Sequence, residues 1–121
     1  MKRSVRLTRL AAVAALGLVL GCGSSTSTGA APGPNQVFLQ NIAFNPSTRT
    51  VSAGTTVQWV NQDGVTHTVT YDSGPGTAFD SGNLAGGADF SVTFATPGTI
   101  QYHCTIHGSP GAGMHGTIVV Q

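Results

Sequence analysis

From residue 36 onward the sequence predicts an all-β fold, an antiparallel sandwich of short strands. Three observations carry that expectation. Apolar and polar residues alternate over short runs, the period of a half-buried strand. Gly, Pro, Asn and Asp break those runs at close intervals, as they do between the strands of a sandwich. No stretch in this region keeps a helical period. The 17 glycines among 121 residues make turns easy and helices costly.

Taken in order, strands are expected over Gln36–Gln40, Thr55–Asn61, Thr66–Tyr71, Asp89–Ala95, Thr99–Cys104 and Gly116–Gln121. Ser52-Ala53-Gly54, Gln62-Asp63-Gly64 and Thr96-Pro97-Gly98 read as turns. Successive side chains of a strand face opposite ways, so parity assigns the faces. Val57 shares a face with Trp59, and Phe90 with Val92 and Phe94, which makes these the inner faces. His67 has the parity of Val69 and Tyr71 and is expected to point inward. Cys104 has the parity of Ile100 and Tyr102 and is expected inward at the end of its strand. Met114 has the parity of Ile118 and Val120. His103 turns outward, and His115 follows Thr117 and Val119 away from the core.

Cys104, His107 and Met114 fall within eleven residues, in the run Tyr102-His103-Cys104-Thr105-Ile106-His107 to Gly116. Alone, each has a bland reading: a buried thiol as a small hydrophobe, a core histidine, a methionine as filler. Together with His67 they make one thiolate, two imidazoles and a thioether, the donor set of a blue-copper centre. Soft sulfur suits Cu(I) and imidazole suits both oxidation states, so the set can hold copper through a one-electron cycle. His103 and His115 are set aside by parity.

The first 35 residues are not expected to be part of the fold. Lys2, Arg3, Arg6 and Arg9 precede an apolar run from Leu10 to Leu20, followed by Gly21 and Cys22, the layout of an export signal. The run is short of the roughly 20 residues that cross a bilayer. Val19-Leu20-Gly21-Cys22 resembles a bacterial lipobox, with Cys22 the lipidated residue after cleavage of residues 1–21. Cleavage near Ala30 or Ala31, or a disulfide between Cys22 and Cys104, are the other readings. The disulfide would consume the proposed metal thiolate. Residues 22–35 are Gly, Ser, Thr, Ala and Pro in the main and are expected to form a flexible tether of about 20 Å mean span.

Removing the signal leaves Arg49 as the one Lys or Arg, against Asp63, Asp72, Asp80 and Asp89. That balance lacks the basic footprint of a nucleic-acid binder. Residues 36–121 suffice for one small core. A single cysteine in that domain gives no disulfide framework.

Several phrases of this domain resemble the cupredoxins, the type 1 blue copper proteins, and within them the plastocyanin–amicyanin group. They are Val57-Gln58-Trp59-Val60-Asn61, Gly64-Val65-Thr66-His67-Thr68-Val69, Phe79-Asp80-Ser81-Gly82, Phe90-Ser91-Val92-Thr93-Phe94 and Pro97 to Cys104, continuing through the ligand loop to Val120. The resemblance implies a Greek-key β-sandwich with one copper at one end. It implies that His67, Cys104, His107 and Met114 are the ligands and that His107 presents its ring edge as the electron port. Val65, Pro110 and Ala112 would form the apolar surround on which a redox partner docks in a small, transient encounter. Two departures stand out. Six residues, Gly108 to Gly113, separate the second histidine from the methionine where four are usual, and Thr68 follows the first histidine where Asn is usual.

The function expected is one-electron transfer between extracytoplasmic redox partners, by a monomer in the periplasm or at the cell surface, anchored by lipid to a bacterial membrane. A non-redox copper storage or delivery module is the alternative. An enzyme is not expected. The four histidines include no His-x-His pair for a second copper, and Cys104 with His107 lacks the third group of a hydrolase.

Overall fold

The computed structural model describes residues 30–121, so the signal and Cys22 lie outside the described residues. Eight strands run β1 (Gln36–Leu39), β2 (Phe44–Asn45), β3 (Thr48–Val51), β4 (Thr55–Asn61), β5 (Thr70–Ser73), β6 (Asp89–Phe94), β7 (Gly98–Ser109) and β8 (Ala112–Val120). They form two four-stranded sheets, ordered β2-β1-β4-β6 and β3-β8-β7-β5. The all-β sandwich is as expected. Its sheets are mixed, because β1 runs parallel to β4 (Val37 opposite Trp59) and β3 parallel to β8 (Arg49 opposite Ile118). Parallel neighbours need a crossover between distant segments and leave no local turn signal.

Five strands differ from expectation: β7 runs on past Cys104 to Ser109 and β8 starts at Ala112, not Gly116, because the two continue as one hairpin. The edge strands β2 and β3 are too short or too polar to show a period; Thr48–Val51 buries Val51 alone. The strand expected from Thr66 begins at Thr70 instead. Before it, His67 makes an isolated bridge with Leu84, donating its N–H to Leu84 O at 3.0 Å and accepting from Leu84 N–H at 2.8 Å. The segment thus keeps extended backbone without a neighbouring strand.

Parity assigned the inner faces correctly. Val57, Trp59, Ile100, Tyr102, Cys104, Met114, Ile118 and Val120 are all buried. Trp59 sits at the centre, edge-on to Tyr102 with ring centroids 5.4 Å apart and to Phe94 at 6.2 Å. Such pairs add about 0.5–1.5 kcal/mol each beyond area burial. A rigid aromatic centre holds the two sheets, and therefore their ends, at a fixed separation.

Arg49 is the one Lys or Arg among the described residues. Its guanidinium donates to Gln36 O at 2.7 Å and Gly33 O at 2.9 Å. Gln36 in turn donates its N–H to Gly33 O at 3.1 Å and accepts from Gly33 N–H through its side chain. The chain entering β1 is therefore tied across to β3. Arg49→Ala is expected to cost about 2 kcal/mol, the range of hydrogen bonds from a charged donor. Urea unfolding and amide exchange at Gln36 check this, and an unchanged midpoint with a still-protected amide would contradict it.

Candidate metal centre

The site lies where β7 and β8 stop pairing regularly. Tyr102 faces Gly116 and His103 faces His115; after a register shift, Gly108 faces Gly113 and Ser109 faces Ala112. Four residues of β7, Cys104 to His107, therefore lie opposite one residue of β8, Met114. A bulge of this kind bends its strand and re-aims side chains. Cys104 is its first residue and His107 its last.

The lengthened loop is absorbed above the bulge. Ser109-Pro110-Gly111-Ala112 closes a hairpin, with Gly111 at φ 74°. Pro followed by a left-handed Gly is the signature of a type II turn. Below the turn, the strands approach closely because Gly108 and Gly113 face each other. A Cβ on Gly108 would meet Met114 N at 2.5 Å, and one on Gly113 would meet His107 O at 2.8 Å. The two extra residues thus extend the hairpin tip and leave Met114 buried at its foot, 3 % exposed.

His67 arrives from the other side. Its backbone is held by the Leu84 bridge, and the loop before it is organised by buried Asn61. That amide donates to Val65 O at 2.8 Å and Leu84 O at 2.9 Å and accepts from Asp63 N–H at 2.9 Å. His67 and Cys104 are fully buried, and His107 is half-exposed.

Three donor atoms converge. Cys104 Sγ lies 3.8 Å from His67 Nδ1 and 3.7 Å from His107 Nδ1, and the two nitrogens are 3.1 Å apart. One ion at ordinary metal–imidazole and metal–thiolate distances, about 2.0 and 2.3 Å, reaches all three corners of such a triangle. Soft thiolate with two imidazoles is a copper donor set. The residues fit the ion.

The hydrogen bonds behind these donors explain Thr68. Its backbone N–H donates to Cys104 Sγ at 3.3 Å, and its hydroxyl accepts from Thr105 N–H at 2.8 Å. Its oxygen also lies 3.1 Å from Thr70 Oγ1 and 3.2 Å from Thr105 Oγ1. A hydroxyl thus supplies the acceptor that an Asn side chain would offer, and it locks the first residue after Cys104.

Asp63, read from sequence as a turn residue, lies behind His67: its Oδ2 is 2.8 Å from His67 Nε2. Burial raises the Asp63 pKa, but hydrogen bonds from Ile42 N–H, His67 and Asn41 N–H outweigh it and hold the carboxyl below its usual range. Nothing in the local pattern distinguishes this aspartate from any other Asp-Gly turn.

The remaining sequence candidates fall into two groups. Val65, Pro110 and Ala112 are all exposed, and Ile106, which the sequence did not single out, is 50 % exposed beside His107. His103 and His115 stay outside the three-donor cluster. His103 Nδ1 is 2.6 Å from Asp72 Oδ1, and His115 Nδ1 is 3.0 Å from Gly113 O. Asp72 reaches His103 because it lies at the register shift between Tyr71 and Ser73.

Removing the Thr68 hydroxyl tests the locked loop. Thr68→Val is expected to speed amide exchange at Thr105 and to cost about 1 kcal/mol. Thr68→Asn is expected to restore protection. Equal protection in wild type and Thr68→Val would contradict this account.

Comparison with known proteins agrees with the site. Residues 35–121 match the family model of copper binding proteins, plastocyanin/azurin family. Plastocyanin of Scenedesmus fuscus is 38 % identical over 88 residues, covering 66 % of this chain and 88 % of that protein. Amicyanin-alpha of Methylorubrum extorquens is 33 % identical over 105 residues, covering 84 % and 85 %. A solved structure of an amicyanin mutant in its Cu(I) form superposes with a TM-score of 0.62 at 28 % identity, covering 71 % of this chain and 80 % of that one. With a matching fold, a converging His₂Cys triangle and this family match, the chain belongs to the plastocyanin/azurin family of copper-binding proteins.

Proposed function

We propose that this protein carries single electrons between extracytoplasmic redox partners, with one copper held by His67, Cys104, His107 and Met114. The observation that carries the reading is the triangle of Cys104 Sγ and two imidazole Nδ1 atoms at 3.1–3.8 Å. When bound there, copper supplies the Cu(I)/Cu(II) couple.

The chain's own residues make that couple usable. Cys104 is held in the β7 bulge, with the Thr68 N–H aimed at its sulfur. His67 is enclosed, so solvent does not compete at that corner. His107 is half-exposed and gives the site its one edge toward a partner. Met114, buried opposite the bulge, offers a thioether without charge. Rigid donors that need not move between oxidation states lower the cost of each transfer.

A partner would dock on the exposed apolar side chains around His107: Val65, Pro110 and Ala112, with Ile106 added by its exposure. With one Arg and four Asp in residues 36–121, contact there rests on shape and apolar area more than on long-range steering. The domain is taken to span residues 36–121, exported by the signal at 1–21 and tethered through 22–35 to a lipid on Cys22. It acts as a monomer and not as an enzyme.

Copper reconstitution tests this. Wild-type protein is expected to turn intensely blue with Cu(II) and to cycle reversibly. Cys104→Ser is expected to lose the colour entirely. Met114→Gln is expected to keep it but to lower the reduction potential, because a harder oxygen donor favours Cu(II). Colour that persists in Cys104→Ser overturns the ligand assignment, and an unchanged potential in Met114→Gln removes Met114 from it. Ready release of copper to an acceptor, without the blue colour, would favour copper handling over electron transfer.

A further inference from the structure

We infer that Asp63 is the positioning residue of the site: its carboxylate fixes the ring and tautomer of His67, and its charge favours the oxidised ion. The second half of this inference rests on the copper reading above; the first does not.

A neutral imidazole carries one N–H, and which nitrogen holds it depends on what the other faces. His67 Nε2 is 2.8 Å from Asp63 Oδ2. An ionised carboxylate only accepts, so the proton sits on Nε2. Nδ1 is left with its lone pair, facing Cys104 Sγ and His107 Nδ1. The opposite tautomer would place a proton at the corner where a metal must bind. Carboxylates behind ligating histidines serve this purpose generally.

The carboxylate is itself anchored from an unusual quarter. Its Oδ1 accepts from Asn41 N–H at 2.7 Å and its Oδ2 from Ile42 N–H at 2.9 Å. Asn41 and Ile42 form the turn between β1 and β2, closed by Gln40 N–H donating to Ala43 O at 2.9 Å. Both have left-handed backbone, at φ 58° and 56°. Such backbone costs a non-glycine residue about 1–2 kcal/mol, and a β-branched isoleucine is among the residues least suited to it. The Ile42 side chain is 47 % exposed and gains little by packing. What this backbone does achieve is to aim two successive N–H groups at one carboxylate. Strain persists where the surroundings over-determine it, and here the over-determining group is Asp63. The turn, Asp63 and His67 form one chain of hydrogen bonds, which places the ring from a sheet that contributes no ligand of its own.

A fixed negative charge one imidazole away from the ion favours the more highly charged oxidation state. Asp63 therefore lowers the reduction potential, whereas Met114 as a soft donor raises it.

Two variants of the full chain separate the roles. In metal-free wild type at about pH 8.5, above the ordinary imidazole range, nitrogen-15 NMR is expected to show His67 as the single Nε2–H tautomer. Asp63→Ala is expected to lose that single form and show both tautomers. Asp63→Asn is expected to keep the Nε2–H form through its amide oxygen. In the copper-loaded proteins, both variants are expected to lose about tenfold of the preference for Cu(II) over Cu(I), a rise of about 59 mV. A single Nε2–H tautomer in Asp63→Ala overturns the positioning role. If Asp63→Ala does not fold, the potential of the near-isosteric Asp63→Asn decides, and an unchanged value overturns the inference. A wild type that takes up no copper defeats the proposed function, while the tautomer measurement on the metal-free protein still decides the role of Asp63.

Discussion

The register of the β7–β8 pair is the constraint on which the site depends. Pairing is regular up to His103 opposite His115 and resumes at Gly108 opposite Gly113. Everything between is set by that mismatch. Four residues facing one must bulge, and the first and last of them are the cysteine and the half-exposed histidine. Glycines at Gly108 and Gly113 let the strands close again above the bulge, which seats Met114 at its foot. A sheet ladder, whose geometry is stiff and whose register is pinned by the buried Ile100, Tyr102, Ile118 and Val120, thereby positions donor atoms that a free loop could not hold.

The opposite wall is built differently. His67 lies outside any ladder and is held by paired backbone bonds to Leu84, by buried Asn61 and by Asp63. Thr68 then joins the two walls, since its N–H reaches Cys104 Sγ and its hydroxyl takes the Thr105 N–H. Buried Asn61, His67 and Thr68 each have named partners, which is the condition for a polar network to rigidify a site and not weaken it. These hydrogen bonds hold the two walls so that the three donors converge.

Much of this was legible in the sequence, for a physical reason. Period-two parity reports which face a side chain takes, and it placed His67 and Cys104 inward and His103 and His115 away from the cluster. Donor chemistry then joined residues 37 positions apart. What parity cannot report is pairing between distant strands, so the parallel contacts of β1 with β4 and β3 with β8 were not foreseen. The two-residue strand β2 is too short to have a period. The loop after His107 read only as longer than usual, because the hairpin depends on the Gly108–Gly113 approach, a tertiary contact. Asp63 read as a turn residue for the same reason: its partners at Asn41 and Ile42 are more than twenty positions away. Thr68 read as a departure from the more usual Asn, and only its distances to Thr105 and Thr70 show that the acceptor is retained.

The central claim is that the β7–β8 register and the hydrogen bonds around His67 fix the donor triangle. Crystal structures of the metal-free and copper-loaded forms test it directly. The account predicts that the distances among Cys104 Sγ, His67 Nδ1 and His107 Nδ1 stay within a few tenths of an ångström of 3.8, 3.7 and 3.1 Å in both. A metal-free structure with His67 turned away from Cys104, or with the β7 bulge paired out, would contradict it.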